Sequence, residues 1–511
     1  MDDTFGTEMQ METTTAQSGS RGGLAAGRLG VWGIVFLVAS AAAPLTVVVS
    51  AAPMGLRLGG IGAAGAMLFC GLVLGLFAVG FTAMSARVPN AGAFYAYALH
   101  GLGKGAGIGL AYVTVFAYAF LCISFFAFFG FFGQLTVAEL LGVDLPWWLW
   151  ALAAVAVVAF LGVRQVDVGA KVLAVLVAAE VAILLVLALT VLADGGPEPV
   201  SLAAFDPQNI FFSSGVSALL VIGFGAFLGF EGTAIYAEEA RTPHRTIPVA
   251  TYLSVAALAV FYALTFWVLT VAFGVEGVIA LATSDSFEDM VFTAAGQYVG
   301  PWAAIVVRIL IVTSFFACVL AFHNACSRYL FALGREGILP RLFARTGHRS
   351  QAPSTASVAM SILCTAGIAV AAAVSADPYL GLAVWTYATG VQGLVFGQAA
   401  AAVAVVCYFL RNRHGHSIWR VVVAPALGAA GLLVGFTMIV LNFEITSGME
   451  GAVNWILLLP TPVLFLAGFV HAAVLKRRAP DVYRALGASR GDGELGQERP
   501  RKFLDEVPAA H

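Results

Sequence analysis

Long apolar runs separated by short polar stretches dominate the chain, with little of the two- or 3.6-residue alternation expected of a half-buried strand or a surface helix. Twelve runs reach about 18 residues, the length a helix needs to cross a bilayer. They lie near 31–52, 60–83, 107–133, 146–163, 170–193, 212–236, 249–274, 302–322, 355–374, 379–410, 421–441 and 453–475. The pattern predicts an all-α polytopic membrane protein with twelve transmembrane helices. Residues 1–29, rich in Thr, Gly, Ser and Met, read as a disordered cytoplasmic tail, and 477–511 as a second polar one. The first run is long enough to stay as a span rather than act as a cleaved signal.

Two of the runs are interrupted. The stretch 221–250 reads VIGFGAFLGFEGTAIYAEEARTPHRTIPVA, with weak helix formers at Gly223, Gly225, Gly229 and Gly232. An unwound turn at membrane depth frees backbone N–H and C=O groups, which persist there only where they line a cavity or bind something. Glu231 sits between the last two of these glycines, where a charge is costly and usually functional. Close glycine packing with a shallow Glu231 is the plainer alternative. Glu238, Glu239, Arg241, Thr242, Pro243, His244 and Arg245 then end the helix and begin a cytoplasmic loop. In the first run, Ser40, Ala41, Ala42, Ala43 and Pro44 precede Leu45 and Thr46, and Pro44 removes one helix bond and clashes with the preceding turn. A repeat of five spans is an odd number, so a second copy would insert upside down. Inverted repeats over about 30–195 and 210–410, with two extra helices over about 420–476, place the two interruptions in corresponding positions, where a midplane binding site would form. An ordinary proline kink is the alternative for the first.

Composition narrows the class. At 60% hydrophobic, 11% charged and a mean hydropathy of +0.92, the chain lies outside the range of soluble domains. A net charge of −2 excludes a strongly basic nucleic-acid binder, leaving the lipid bilayer and a small molecule as partners. Of 26 Lys and Arg, only Arg57 and Arg308 fall outside the even-numbered loops and the tails. Both termini are therefore expected in the cytoplasm, with the outer loops acidic at Asp144, Asp194, Glu198, Glu276, Asp285, Glu288, Asp289 and Glu450. The six cysteines stand singly in or beside apolar runs and suit packing; His414 and His416 suit a solvated loop better than a metal site. No cofactor or metal is called for, and there is no phosphate-binding loop to suggest ATP drive.

A few polar groups lie deep. Glu180 stands nine residues beyond Lys171 in the fifth run, ~13 Å deeper and on the opposite side of the helix. In a low-dielectric setting such a carboxylate can exchange a proton. Arg308 enters from the outer end of the eighth run, and a structural ion pair with Glu180 competes with a proton-carrying role for that carboxylate. Thr313 and Ser314 carry hydroxyl oxygens of the kind that hold sodium, or are bonded back to their own helix. Tyr112, Tyr118, Trp385 and Tyr387 are candidate cavity walls, with Thr389 and Gln392 as polar partners.

Three stretches resemble the amino acid, polyamine and organocation transporter superfamily, and more narrowly its bacterial amino acid permeases. They are GFGAFLGFEGTAIYAEEARTPHRTIPVA, SARVPNAGAFYAYALHGLG from Ser85 and NACSRYLFALGREGILPRLF from Asn324. The resemblance implies a substrate held at the two interruptions, by Ser40 to Pro44 on one side and by Gly223, Phe224, Gly225, Phe227, Gly229 and Glu231 on the other. It also implies an ion-coupling role for Glu180, where such proteins carry Lys or Glu, with Arg308, Thr313 and Ser314 nearby. The chain departs from the pattern twice. Ala41, Ala42 and Ala43 replace a Gly-rich triplet that holds the substrate carboxylate, which makes a polyamine or simple amine more credible. The aromatic that closes over substrate in some relatives falls on Gly225, so Phe224, Phe227 or Phe230 would have to replace it.

The expected function is a secondary active permease of the cell (inner) membrane that imports an amino acid or related amine, with proton symport favoured over sodium. Amine transport and amino acid exchange are the alternatives, a transporter-like nutrient receptor a remote one, and no enzymatic reaction is expected.

Overall fold

The computed structural model describes residues 30–88, 93–164, 170–235, 240–347, 352–449 and 451–487. The tail expected over 1–29, the part of the tail expected over 477–511 that follows 487, the acidic pair Glu238 and Glu239, and Glu450 lie outside them, whereas Pro480–Ala485 within that second tail is helical. No strand pairs with another among the described residues, and helices follow one another with short joints. The principal ones are α1 (Val31–Ala42), α2 (Ala52–Gly59), α3 (Ala63–Ser85), α4 (Ala93–Gly101), α5 (Lys104–Leu141), α6 (Trp147–Arg164), α7 (Ala170–Asp194) and α8 (Val216–Ala226). There follow α9 (Pro243–Phe273), α10 (Pro301–Arg335), α11 (Ser354–Ala373), α12 (Val384–Arg411), α13 (Ala424–Leu441), α14 (Pro460–Arg478) and α15 (Pro480–Ala485).

Among the described residues, nine helical stretches are long and apolar enough to cross a membrane, and the bent pair Ala452–Leu458 and Pro460–Arg478 makes a tenth. The stretch Val31–Ser85 counts once in that number although it runs through several breaks, and α8 is apolar but short. The chain is a multi-pass membrane protein. Large apolar side chains such as Leu72, Phe160, Leu189, Ile362, Val370 and Leu466 point outward, as lipid-facing residues do. The buried residues are rich in alanine, which lets helix backbones approach closely where the lipid provides no hydrophobic drive between helices.

α5 is the hub, packing against α6, α10, α12 and α14. Its 38 residues include the run Phe125 to Phe132, whose rings reach in several directions, stacking on Phe315, meeting Tyr379 edge-on and lying tilted against Phe322. α3 packs on α9 and α13, and α6 on α11, while α1 lies among α7, α9 and α10. At one end of the bundle, Tyr95 of α4 donates its hydroxyl to Glu336, just past α10. α15 docks beside it. The Lys104 ammonium donates to the carbonyls of Tyr483 and Arg484 at the end of α15 and lies 4.6 Å from the centre of the Tyr483 ring, and Leu486 is buried there.

Candidate functional site between two broken helices

The first interruption falls where Pro44 predicts it. α1 stops at Ala42, Ala43 takes a left-handed conformation with φ 43°, and Pro44 starts a short turn, Pro44–Thr46, which passes through a π-helical segment, Val47–Ala51, into α2. Left-handed alanine costs roughly 1–2 kcal/mol, so surrounding contacts must hold it. The Ala42 carbonyl accepts from the Tyr262 hydroxyl at 3.2 Å, the Ala41 carbonyl is approached by the Cys318 thiol at 3.5 Å, and the Leu45 N–H donates to Glu180 Oε2 at 3.3 Å. Ser40 is occupied within its own helix, donating to the Phe36 carbonyl at 2.8 Å.

The second interruption follows α8. From Phe227 to Glu231 the chain runs in loose turns, with Gly229 at φ 101°. The Glu231 side chain turns back on them, its Oε2 accepting the Gly229 N–H at 3.1 Å and its Oε1 the Tyr118 hydroxyl at 2.9 Å. At 1% exposure, Glu231 is buried in the turn and not shallow. A Cβ on Gly229 would meet Ala41 Cβ at 2.8 Å, so the two interruptions touch.

Glu180, also 1% exposed, sits against the first of them. Thr46 Oγ1 donates to Ser314 Oγ at 3.0 Å, and Ser314 Oγ donates to Glu180 Oε2 at 2.9 Å, so the Pro44–Thr46 turn, α7 and α10 are tied by a hydroxyl chain ending on a carboxylate. The carboxylate faces the N-terminal end of the Pro44–Thr46 turn, where free N–H groups favour negative charge. Arg308 does not join it. Six residues from Ser314, and therefore ~9 Å along the helix, Arg308 pairs with Asp289 at 3.0 Å and lies 4.3 Å from the Phe292 ring centre. Thr313 likewise turns away and donates to the Leu310 carbonyl at 2.9 Å.

Between the interruptions lies a cavity of about 60 Å³, room for roughly four waters at ~15 Å³ each. Ala41, Ala42, Thr46 and Val47 form one side, Val221, Ile222, Gly225 and Leu228 the other, and Phe125, Phe128, Phe322 and Tyr387 supply its rings. Phe224, Phe227 and Phe230 line none of it, contrary to the expectation that one of them closes over substrate. All three are fully buried elsewhere, Phe227 edge-on to Tyr262 and Phe230 against Phe77 and Phe81. Gly223 is pressed against Cys70, whose Sγ would be 2.6 Å from an added Cβ. The ring arrives from α12 instead, and a Cβ at Gly225 would meet the Tyr387 hydroxyl at 2.0 Å.

The sequence profile of the amino acid permease family matches residues 29–467. The chain belongs to that family. It is 25% identical to the branched-chain amino acid permease of Lactococcus lactis over 75% of this chain and 83% of the relative. It is 23% identical to the vacuolar cationic amino acid transporter 2 of Arabidopsis thaliana over 59% of this chain and 48% of the relative. It is 29% identical to the gamma-aminobutyric acid permease of Bacillus subtilis, over 29% of this chain and 31% of the relative. The chain spans about half the length of that plant relative, and less of two other cationic amino acid transporters that it matches. These relatives are transporters, not enzymes.

Both interruptions, Glu180, Ser314 and Glu231 are legible in the sequence of this permease; of the wall candidates Tyr387 lines the cavity, while Tyr118 lies outside its wall and donates to Glu231. Trp385 stays outside the cavity wall, Thr389 bonds to its own helix, Gln392 accepts from Thr461, and Tyr112 pairs with His471. Tyr262, Phe125, Phe128 and Phe322 carry no sequence signal, and Cys318 reads there only as packing. Each stands in a helix apolar all round, where no pattern distinguishes a cavity-facing residue from a packed one.

Proposed function

We propose that this permease is a secondary active transporter that imports an amino acid or related amine across the cell membrane by proton symport, with Glu180 as the proton-exchanging group. What carries the reading is the joining of both broken helices around one cavity, with a buried carboxylate bonded to the backbone that one break releases. Protonating Glu180 weakens its hold on the Leu45 N–H and on Ser314, and loosens the Pro44–Thr46 turn from α7 and α10. That is the coupling an alternating-access cycle needs.

Twelve spans fit this function. The 55 helical residues of Val31–Ser85 would reach ~80 Å against a ~30 Å hydrocarbon core, so they supply two crossings, and the short broken α8 with its continuation supplies the sixth. Numbered so, the second span packs on the seventh, the third on the eighth and the fourth on the ninth. That pairing supports a five-plus-five inverted repeat. The bias of Lys and Arg toward even-numbered loops supports cytoplasmic termini. So does the docking of α15 on Lys104, between the second and third spans.

The test is uptake by proteoliposomes of amino acids, polyamines and simple amines, driven by an imposed pH gradient without sodium, for wild type and Glu180→Gln. Gradient-driven accumulation abolished in the variant while substrate binding survives is the expected result. Accumulation only with sodium would instead assign the oxygens of Thr46, Ser314 and Glu180 to a cation, and equal accumulation by the variant would remove Glu180 from coupling.

A further inference from the structure

We infer that the cavity accepts an uncharged aliphatic side chain and that Tyr387, seated in the notch left by Gly225, sets the size limit. The inference rests on the permease reading and narrows its substrate. The cavity wall carries no charged residue, and its polar side chains are the hydroxyls of Thr46, Ser50, Tyr387 and Thr446 with the Cys318 thiol. Two of these are already donating, Thr46 to Ser314 at 3.0 Å and Ser50 to the Thr46 carbonyl at 2.7 Å. Both buried carboxylates near the breaks are turned away from the cavity, Glu180 to Leu45 and Ser314, Glu231 to Tyr118 and Gly229. A lysine or arginine side chain entering the cavity would lose its hydration with no counter-ion to replace it.

The size limit follows from the Gly225 contact. The Tyr387 hydroxyl occupies the place where a side chain on the sixth span would begin, 2.0 Å from an added Cβ. Tyr387 lies beside Phe125, at 6.3 Å between ring centres, and its hydroxyl has no hydrogen-bond partner among the described residues, so only packing holds the ring in the notch. A ring in this space can be supplied from either helix, but not from both.

Equilibrium binding of radiolabelled leucine to the purified full chain in lipid nanodiscs tests this. Valine and isoleucine should displace leucine, with lysine and arginine ~100-fold weaker or worse. Tyr387→Ala should lower the preference for leucine over phenylalanine by roughly tenfold or more. Gly225→Phe alone should abolish leucine binding, and Gly225→Phe with Tyr387→Ala should restore it by swapping the ring to the other helix. If the alanine variant is not monodisperse, Tyr387→Leu replaces it and must relax the preference in the same direction. Displacement by lysine as strong as by isoleucine would overturn the uncharged class while leaving the permease reading intact. An unchanged preference, or no rescue in a folded double variant, would overturn the role of Tyr387. A monodisperse wild type that binds neither amino acids nor the polyamines and simple amines of the uptake panel would sink the transport reading itself.

Discussion

Gly229 and Ala41 meet so closely that a Cβ on the glycine would lie 2.8 Å from the Cβ of the alanine. The contact joins the broken segments, and the glycine holds φ 101°, which L side chains rarely adopt. Gly229→Ala should therefore destabilise the protein by roughly 2–5 kcal/mol, combining backbone strain of ~1–2 kcal/mol with overpacking of ~1–3 kcal/mol. Gly75→Ala, within α3 and with nothing inside 4 Å of the added methyl, should be neutral or slightly stabilising. Thermal unfolding of the two variants in detergent, side by side, checks the contrast.

Ser314 and Thr313 are neighbours with opposite partners. Ser314→Ala removes a hydrogen bond to a carboxylate, a loss of about 1.5–3 kcal/mol, and should depress proton-driven uptake. Thr313→Ala deletes only a bond to its own helix and should leave uptake near wild type. Arg308→Gln breaks a partly exposed pair, with side-chain exposures of 16% and 41%, so about 0.2–1 kcal/mol of stability is at stake. Equal losses of uptake in the Thr313 and Ser314 variants would contradict the geometry.

Outside the spans, Glu288 lies in the turn between α9 and α10. Burial holds its carboxyl above the usual glutamate range, Asp289 and Asp377 add to the effect, and a backbone hydrogen bond and Arg57 oppose it. A raised folded-state value means that the ionised form disfavours the fold once pH exceeds that value, and the effect fades below the ordinary range. Glu288→Gln should raise the unfolding temperature at about pH 7 but not near about pH 4. A melting series over that interval would show whether the difference has the stated sign.

Lys104 holds the end of α15 through two carbonyls and the Tyr483 ring. In Lys104→Ala, amides over 480–487 should exchange faster with deuterium while those of α5 stay protected. Unchanged exchange over 480–487 would mean that Leu486 and its neighbours suffice to dock the segment.

Local sequence determined much of this protein. The apolar runs dictated helices and their membrane setting, because hydropathy and length act over one segment at a time. Pro44 and the glycines from 223 to 232 marked where helix bonds would fail, since a missing N–H or a missing Cβ weakens a helix whatever surrounds it. Glu180 and Glu231 stood out as charges in apolar runs. Their partners did not. Glu180 meets Leu45 and Ser314 across 135 and 134 positions, and no local pattern encodes which side of an all-apolar helix faces which neighbour. The pairing of Arg308 with Asp289, the bond of Thr313 to its own helix and the seating of Tyr387 against Gly225 were therefore decided by the tertiary structure alone, through helix rotation and close packing.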